Sequence, residues 1–232
     1  MIKHGDKISV AMISMNEEGS IKKIVQDIFN IDNRIEIILV DSSKDKTFEI
    51  AKQLGVQAIK QYPPQGYGLA MDLALKSCTR DVIITMDCDS TYPTDQIDFL
   101  SKLILDEDYK LIDCNRLDSK PENMKLINYI GNKIFSIFAS IMFLKKIPDL
   151  HSGMRAYNKE TLSRINYFAD GPSLPVELLL AFHKRKLKLK YINIDYFERV
   201  GQSKMAPLET SIWTVKRILI SFLFLNNFFT KS

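Results

Sequence analysis

Apolar residues in this chain fall into short continuous runs separated by amphipathic stretches, and the alternation predicts strands and helices in turn. Ile8 to Ile13 is an apolar run leading into Ser14-Met15-Asn16-Glu17-Glu18, after which Ile21, Ile24, Val25, Ile28 and Phe29 recur at helical spacing. The unit repeats: Ile35 to Val40 ends at Asp41, and a helix carrying Phe48, Ile50, Ala51 and Leu54 follows. Val56 to Ile59 predicts a third strand, and the loop Tyr62 to Gly68 opens a helix expected to turn Leu69, Leu73 and Ala74 inward. Val82 to Met86 predicts a fourth strand and ends abruptly in Asp87-Cys88-Asp89. Thr94 is expected to cap a helix with Ile97, Leu100, Leu103 and Ile104, and Tyr109 to Cys114 a strand ending at Asn115-Arg116. Short runs without internal alternation suit strands buried on both faces. The pattern therefore predicts an α/β fold: a mostly parallel central sheet, helices on both faces and right-handed crossovers.

The second half is less regular. Glu122 to Leu144 is a long helical stretch, apolar over more than one stripe, interrupted by Asn128, Asn132 and Lys133 and closed by Lys145-Lys146. That mixture suits an interfacial or partner-facing helix better than a membrane span. Asp149 to Tyr157 reads as a turn and short strand, Pro175 onward as a helix holding Glu177 among leucines, and Leu187 to Phe197 as a strand leading to Glu198-Arg199-Val200-Gly201-Gln202-Ser203-Lys204. Ile212 to Phe229 predicts a C-terminal amphipathic helix whose run Ile218 to Leu225 is too short for a bilayer that needs about 20 residues. A boundary near Thr210 is expected, with a domain over 1–210 and an associating helix over 211–232.

Composition changes this picture little. A chain of 232 residues can bury a sizeable core. The net charge of +4 is mild, and Lys184, Arg185, Lys186, Lys188 and Lys190 supply a local patch that suits a solvated face or anionic lipid, so no nucleic-acid partner is expected. Cys78, Cys88 and Cys114 have no paired spacing, which argues against a disulfide framework or zinc site and fits a reducing cytoplasm. Met1 to Lys7 carries no apolar signal region, so export is not expected.

Candidate chemistry concentrates at strand ends. In a parallel sheet ligands bind outside the carboxyl ends of the strands, and three predicted ends carry acidic or amide groups: Asn16-Glu17-Glu18, Asp41 and Asp87-Cys88-Asp89. Residues i and i+2 point the same way in extended chain, so Asp87 and Asp89 can converge on Mg²⁺ or Mn²⁺, although Asp at a strand end also serves as a turn or cap residue. No Gly-X-Gly-X-X-Gly follows the first strand and no Gly-Lys-Ser/Thr phosphate loop occurs, which weakens dinucleotide and P-loop readings.

The order of these signals resembles the family 2 glycosyltransferases, enzymes of the GT-A fold that use nucleotide-activated sugars, over Ile8 to about Met205. Val40-Asp41-Ser42-Ser43-Lys44-Asp45-Lys46-Thr47 resembles the family's Val-Asp-Asp-Gly-Ser-X-Asp-Gly-Thr loop, Gly66-Tyr67-Gly68-Leu69-Ala70 its helix opening, and Asp87-Cys88-Asp89 its Asp-X-Asp. Ser152-Gly153-Met154-Arg155-Ala156-Tyr157 and Arg199-Val200-Gly201-Gln202-Ser203-Lys204 are similar to segments of the polyprenyl-phosphate sugar synthases, the dolichyl-phosphate mannose synthase branch. Ser42 and Ser43 depart from the pattern, as does Thr91 where some relatives carry a further metal ligand.

The resemblance implies a GT-A-type nucleotide-binding sandwich and a metal-dependent, inverting transfer of a sugar from a nucleoside diphosphate to a polyprenyl phosphate. Asp87 and Asp89 would hold Mg²⁺ or Mn²⁺, with Asp87 alternatively on the ribose. Asn16, Glu17, Asp41, Gly66 and Gly68 would meet the nucleotide, and Arg199, Ser203 and Lys204 would close on the diphosphate. Arg116, Arg155 and Ser152 would face the acceptor; Arg155 could instead pair with Asp149 or Glu177, and Glu177 is either such a buried partner or a surface charge. His151 reads as a packing residue rather than a base. Transfer to a sugar or protein hydroxyl would make Asp149 the general base. A binding protein on the same fold is the non-enzymatic alternative. The long helix and the tail would then rest peripherally on the cytoplasmic face of a membrane, or against a second subunit.

Overall fold

The computed structural model describes residues 4–201 and 207–223. After a short 3-10 turn at Gly5–Lys7, β1 (Ile8–Ser14), α1 (Ile21–Ile31), β2 (Glu36–Asp41), α2 (Thr47–Gln53), β3 (Gln57–Lys60), α3 (Tyr67–Ser77), β4 (Val82–Thr85), α4 (Gln96–Leu105) and β5 (Leu111–Asn115) follow. Then come α5 (Leu126–Phe143), β6 (Arg155–Asn158), α6 (Lys159–Ser163), α7 (Leu174–Lys184), β7 (Leu189–Asn193) and α8 (Pro207–Leu223). The seven strands form one sheet in the order β3-β2-β1-β4-β6-β5-β7. β1 pairs in parallel with β2 and β4, β2 with β3, and β5 with β7, whereas β6 runs antiparallel to both its neighbours.

Alternate strand residues feed two cores. Val10, Met12 and Leu39 join Ile21, Ile24, Val25 and Ile28 of α1 and Leu100 of α4 on one face. Ala11, Ile38 and Val40 join Ala70 and Ala74 of α3 and Leu178 and Phe182 of α7 on the other. Each such side chain taken from water contributes roughly 1.5–3 kcal/mol, so the strands covered on both faces carry the stability.

Several local expectations are corrected. Leu69 is exposed and Leu73 only partly buried, while α3 buries Ala74 as expected together with Ala70, Met71 and Leu75. The last predicted strand stops at Asn193, because Ile194 onward leaves the sheet edge to cross the ends of neighbouring strands. α5 starts at Leu126, not Glu122. By length and composition it could cross a membrane, with 18 residues and a mean hydropathy of 1.3. Its inner side is nevertheless docked: Ser136 and Ala139 are buried, and the hydroxyls of Ser136 and Ser140 accept the backbone N–H groups of Leu150 and Ile147 at 3.1 and 3.0 Å.

Candidate active site

The parallel pairing of β2, β1 and β4 puts three strand ends side by side, with Ser14 opposite Asp41. The first two loops are stapled together: Asn16, at φ 58° in the left-handed region Asn tolerates, donates its N–H to Ser43 Oγ at 2.7 Å and accepts Lys44 N–H on Oδ1 at 2.8 Å. Glu17 N–H reaches Thr47 Oγ1 at 2.9 Å. Asp41 is fully buried and spent, accepting from Ser14 Oγ at 2.6 Å, Ser43 N–H at 3.2 Å and Lys60 Nζ at 2.7 Å. It ties the ends of β1, β2 and β3 together and so builds the floor of the edge.

Beyond β4 the two aspartates separate in role. Asp89 is buried; its Oδ1 accepts from Thr91 N–H at 3.1 Å and Thr91 Oγ1 at 2.5 Å, while Oδ2 pairs with Arg199 Nη2 at 2.5 Å. Asp87 is half-buried against Gly153, where a Cβ would lie 3.1 Å from Asp87 Oδ2 and 3.1 Å from Tyr92 Oη. Burial, and then the Asp89 charge, push the Asp87 carboxyl up to about 7. Ser20 Oγ fixes the intervening backbone through the Cys88 carbonyl at 2.5 Å.

The segment after β7 delivers Arg199. Ile194 N–H donates to Asn115 O at 3.0 Å, Phe197 N–H to Thr91 O at 2.9 Å and Val200 N–H to Asp89 O at 2.9 Å. Ser203 and Lys204 lie outside the described residues.

The donor set fits a divalent cation. Carboxylate oxygens are hard donors, and the negative charge that Asp89 sets beside Asp87 is one that a bound cation would offset. Among the described residues no group of three or more His, Cys, Asp or Glu forms a closed metal cage, so further ligands would come from water and substrate oxygens.

After β5, Asp149 and Arg116 form a buried bidentate pair: Nε to Oδ2 at 2.7 Å and Nη2 to Oδ1 at 3.0 Å, with Arg116 N–H and His151 N–H adding bonds at 3.1 Å each. The guanidinium and these bonds hold the Asp149 carboxyl below its usual range despite burial. A carboxylate so engaged orients Arg116 and is a poor base. Arg116 Nη1 also reaches Tyr92 Oη at 3.3 Å, and its plane lies 5.3 Å from the centre of the Tyr196 ring.

Arg155 is held inside the fold. It is fully buried, with Nε on Asp113 Oδ1 at 2.5 Å, Nη2 on Leu150 O at 3.1 Å and Nη1 on the Pro175 carbonyl. Its partner is Asp113, neither of the two carboxylates expected. Ser152 is buried on Met154 O at 3.3 Å. Glu177 is buried against α8, with Arg217 Nε 3.7 Å away and Ser221 Oγ donating at 3.3 Å. Gly66 forms the open turn before α3 at φ 98°, but Gly68 is a packing residue: a Cβ there would meet Ala169 O at 1.9 Å.

His151 packs as expected, its Nε2 2.8 Å from Thr214 Oγ1. Burial lowers both His151 and His183 to about 4. Depressed folded values mean that these two histidines bind more protons in the unfolded chain between about pH 6.5 and 4, so their contribution to stability falls as pH drops through that window, while the raised Asp87 carboxyl works in the opposite sense. The unfolding free energy from urea titration should lose up to about 2 kcal/mol more between pH 7.5 and 5.0 in the wild type than in His183→Phe, which lacks the share of that histidine.

Tyr92, Asp113, Tyr196 and Thr214 were not singled out in the sequence. Asp113 alone left a signal, a charge inside an apolar strand that demands a buried partner.

Three comparisons bear on this geometry. A family model, Glycosyl transferase family 2, matches residues 9–165. The chain is similar to the dolichyl-phosphate hexose transferase of Haloferax volcanii, 36% identical over 205 residues that cover 87% of this chain and 88% of the relative. It is also similar to a UDP-N-acetylglucosamine–dolichyl-phosphate N-acetylglucosaminyltransferase of Methanococcus voltae, 28% identical and covering 68% and 72% of the two chains. Among solved structures, glucosyl-3-phosphoglycerate synthase from Mycobacterium tuberculosis, in complex with Mn²⁺, UDP-glucose and phosphoglyceric acid, superposes at a TM-score of 0.76 with 20% identity. That match covers 95% of this chain and 81% of that one, and it shows the GT-A fold.

Proposed function

The chain belongs to glycosyl transferase family 2, and from that premise we propose that it transfers a sugar from a nucleoside diphosphate to the phosphate of a polyprenyl lipid. The observation that carries the acceptor is the Arg116–Asp149 pair. Three of the five N–H donors of Arg116 are engaged, which leaves two for an anionic oxygen, while both oxygens of Asp149 are spent. A site with a guanidinium and no free carboxylate base beside it suits an acceptor already nucleophilic at neutral pH. Transfer to a hydroxyl would need the base that Asp149 cannot supply.

Asp87 and Asp89 would hold Mg²⁺ or Mn²⁺, and such an ion would supply positive charge to offset that on the departing diphosphate. Arg199, paired with Asp89 and carried on the segment after β7, supplies a guanidinium beside the site that can pair with the diphosphate. An acceptor phosphate oxygen held by Arg116 attacks the anomeric carbon opposite the leaving oxygen. The new C–O bond forms as the old one breaks, the electron pair leaves with the nucleoside diphosphate, and the configuration inverts.

The surface agrees with a lipid acceptor. Ile127, Ile130, Ile134, Ile137 and Ile141 form an exposed stripe on α5, which has no acidic residue and is bracketed by Lys125 and Lys145-Lys146. Such a helix suits peripheral contact with an anionic membrane; a second subunit would set lysine against lysine.

Protein incubated with Mn²⁺, polyprenyl phosphate and labelled UDP- or GDP-sugars should move label into the organic phase, and EDTA should stop it. No labelled lipid from any donor in the panel would refute the proposal.

A further inference from the structure

We infer that α8 is a positioning strut, with Thr214 its key residue, that fixes the depth of the acceptor-side guanidinium relative to the apolar outer face. This rests on the lipid-acceptor reading above.

α8 is turned inside out. A helix added to a globular body normally buries its apolar stripe. Here Leu208, Ile212, Leu219 and Leu223 are exposed, while Thr214, Arg217 and Ser221 are buried beside Ile218. Each buried polar group has a partner on the body: Thr214 Oγ1 lies 2.8 Å from His151 Nε2, Arg217 Nη2 2.6 Å from Asp170 Oδ1, and Ser221 Oγ 3.3 Å from Glu177 Oε2. Directional bonds fix the register of the helix, which an apolar seam alone would leave free to slip.

Two of the three anchor points, His151 and Asp170, lead to the site. His151 belongs to the segment 147–153, whose Asp149 carries Arg116 and whose Gly153 lies against Asp87. The same segment hangs on α5 through Ser136 and Ser140. Asp170 belongs to the turn whose Ala169 and Gly171 carbonyls sit on Gly68, at the opening of α3, and Trp213 of α8 covers Gly171. Phe135 of α5 packs on His151, and Phe143 on Phe222 of α8, so both outer helices are joined to each other and to the segment between them. Thr214 touches no reacting atom; it acts through His151 and Asp149.

Thr214→Val removes the hydroxyl at nearly constant volume, and Thr214→Ser restores it. Hydrogen exchange over 147–153 should quicken about tenfold in Thr214→Val and return towards wild type in Thr214→Ser. In the transfer assay with polyprenyl phosphate in anionic vesicles, Thr214→Val should lose five- to tenfold in kcat/KM, about 1 kcal/mol, with the KM for the nucleotide sugar unchanged. Unaltered exchange at 147–153, or a loss of rate that only follows the loss of folded protein, would overturn the inference. If wild-type protein transfers no sugar, the lipid-acceptor reading fails, and the exchange comparison still decides whether Thr214 holds the segment.

Discussion

Asp89→Asn is expected to lower sugar transfer on the order of 10²–10³-fold, the scale on which a preorganised electrostatic contact to developing charge acts. The substitution keeps the size of the side chain and can keep the bond from Thr91, so the backbone after β4 should stay in place. What it removes is one negative charge. The proposed cation site would lose a hard oxygen ligand, and Arg199 Nη2, 2.5 Å from Asp89 Oδ2, would face either an amide N–H or a neutral oxygen. Turnover and Mn²⁺ affinity should therefore fall together. Stability should change little, because Arg199 is partly exposed and a pair of that kind contributes at most about 1 kcal/mol. Full turnover in Asp89→Asn would remove the metal from the mechanism.

Asp149→Asn should cost about 3–5 kcal/mol in unfolding free energy, because it leaves the buried Arg116 guanidinium without its counter-charge. This outcome separates two roles. A general base could be neutralised with the fold intact and only turnover lost, whereas an orienting carboxylate takes stability with it. Urea titrations at unchanged m-value measure the difference. The double variant Asp149→Asn/Arg116→Met should be less destabilised than the sum of its parts, since it removes the stranded charge as well.

Much of this site was legible in the sequence because its signals are local. Apolar runs ending in Asp41 and Asp87-Cys88-Asp89 placed three carboxylates at strand ends, and the parallel register of β2, β1 and β4 then brought those ends together. Periodicity also found every strand and the longer helices, since the helices each bury one face on a sheet covered from both sides. What stayed hidden depends on long-range pairing. Asp41 resembles a ligand in sequence, yet Lys60, nineteen residues on, consumes it. Arg155 resembles an anion binder, yet Asp113 on the neighbouring antiparallel strand claims it. Nothing in a local window says which arginine keeps free donors and which is walled in. The inverted polarity of α8 was hidden for the same reason: its sequence shows two faces, and only the body it docks on decides which is buried.

Identifying the atom that accepts the sugar tests the account most directly. Phosphorus NMR of polyprenyl phosphate, recorded before and after incubation with protein, Mn²⁺ and the active donor, should show the monoester signal replaced by a sugar phosphodiester. A monoester that persists while sugar accumulates on a hydroxyl, or is released free into solution, would contradict it.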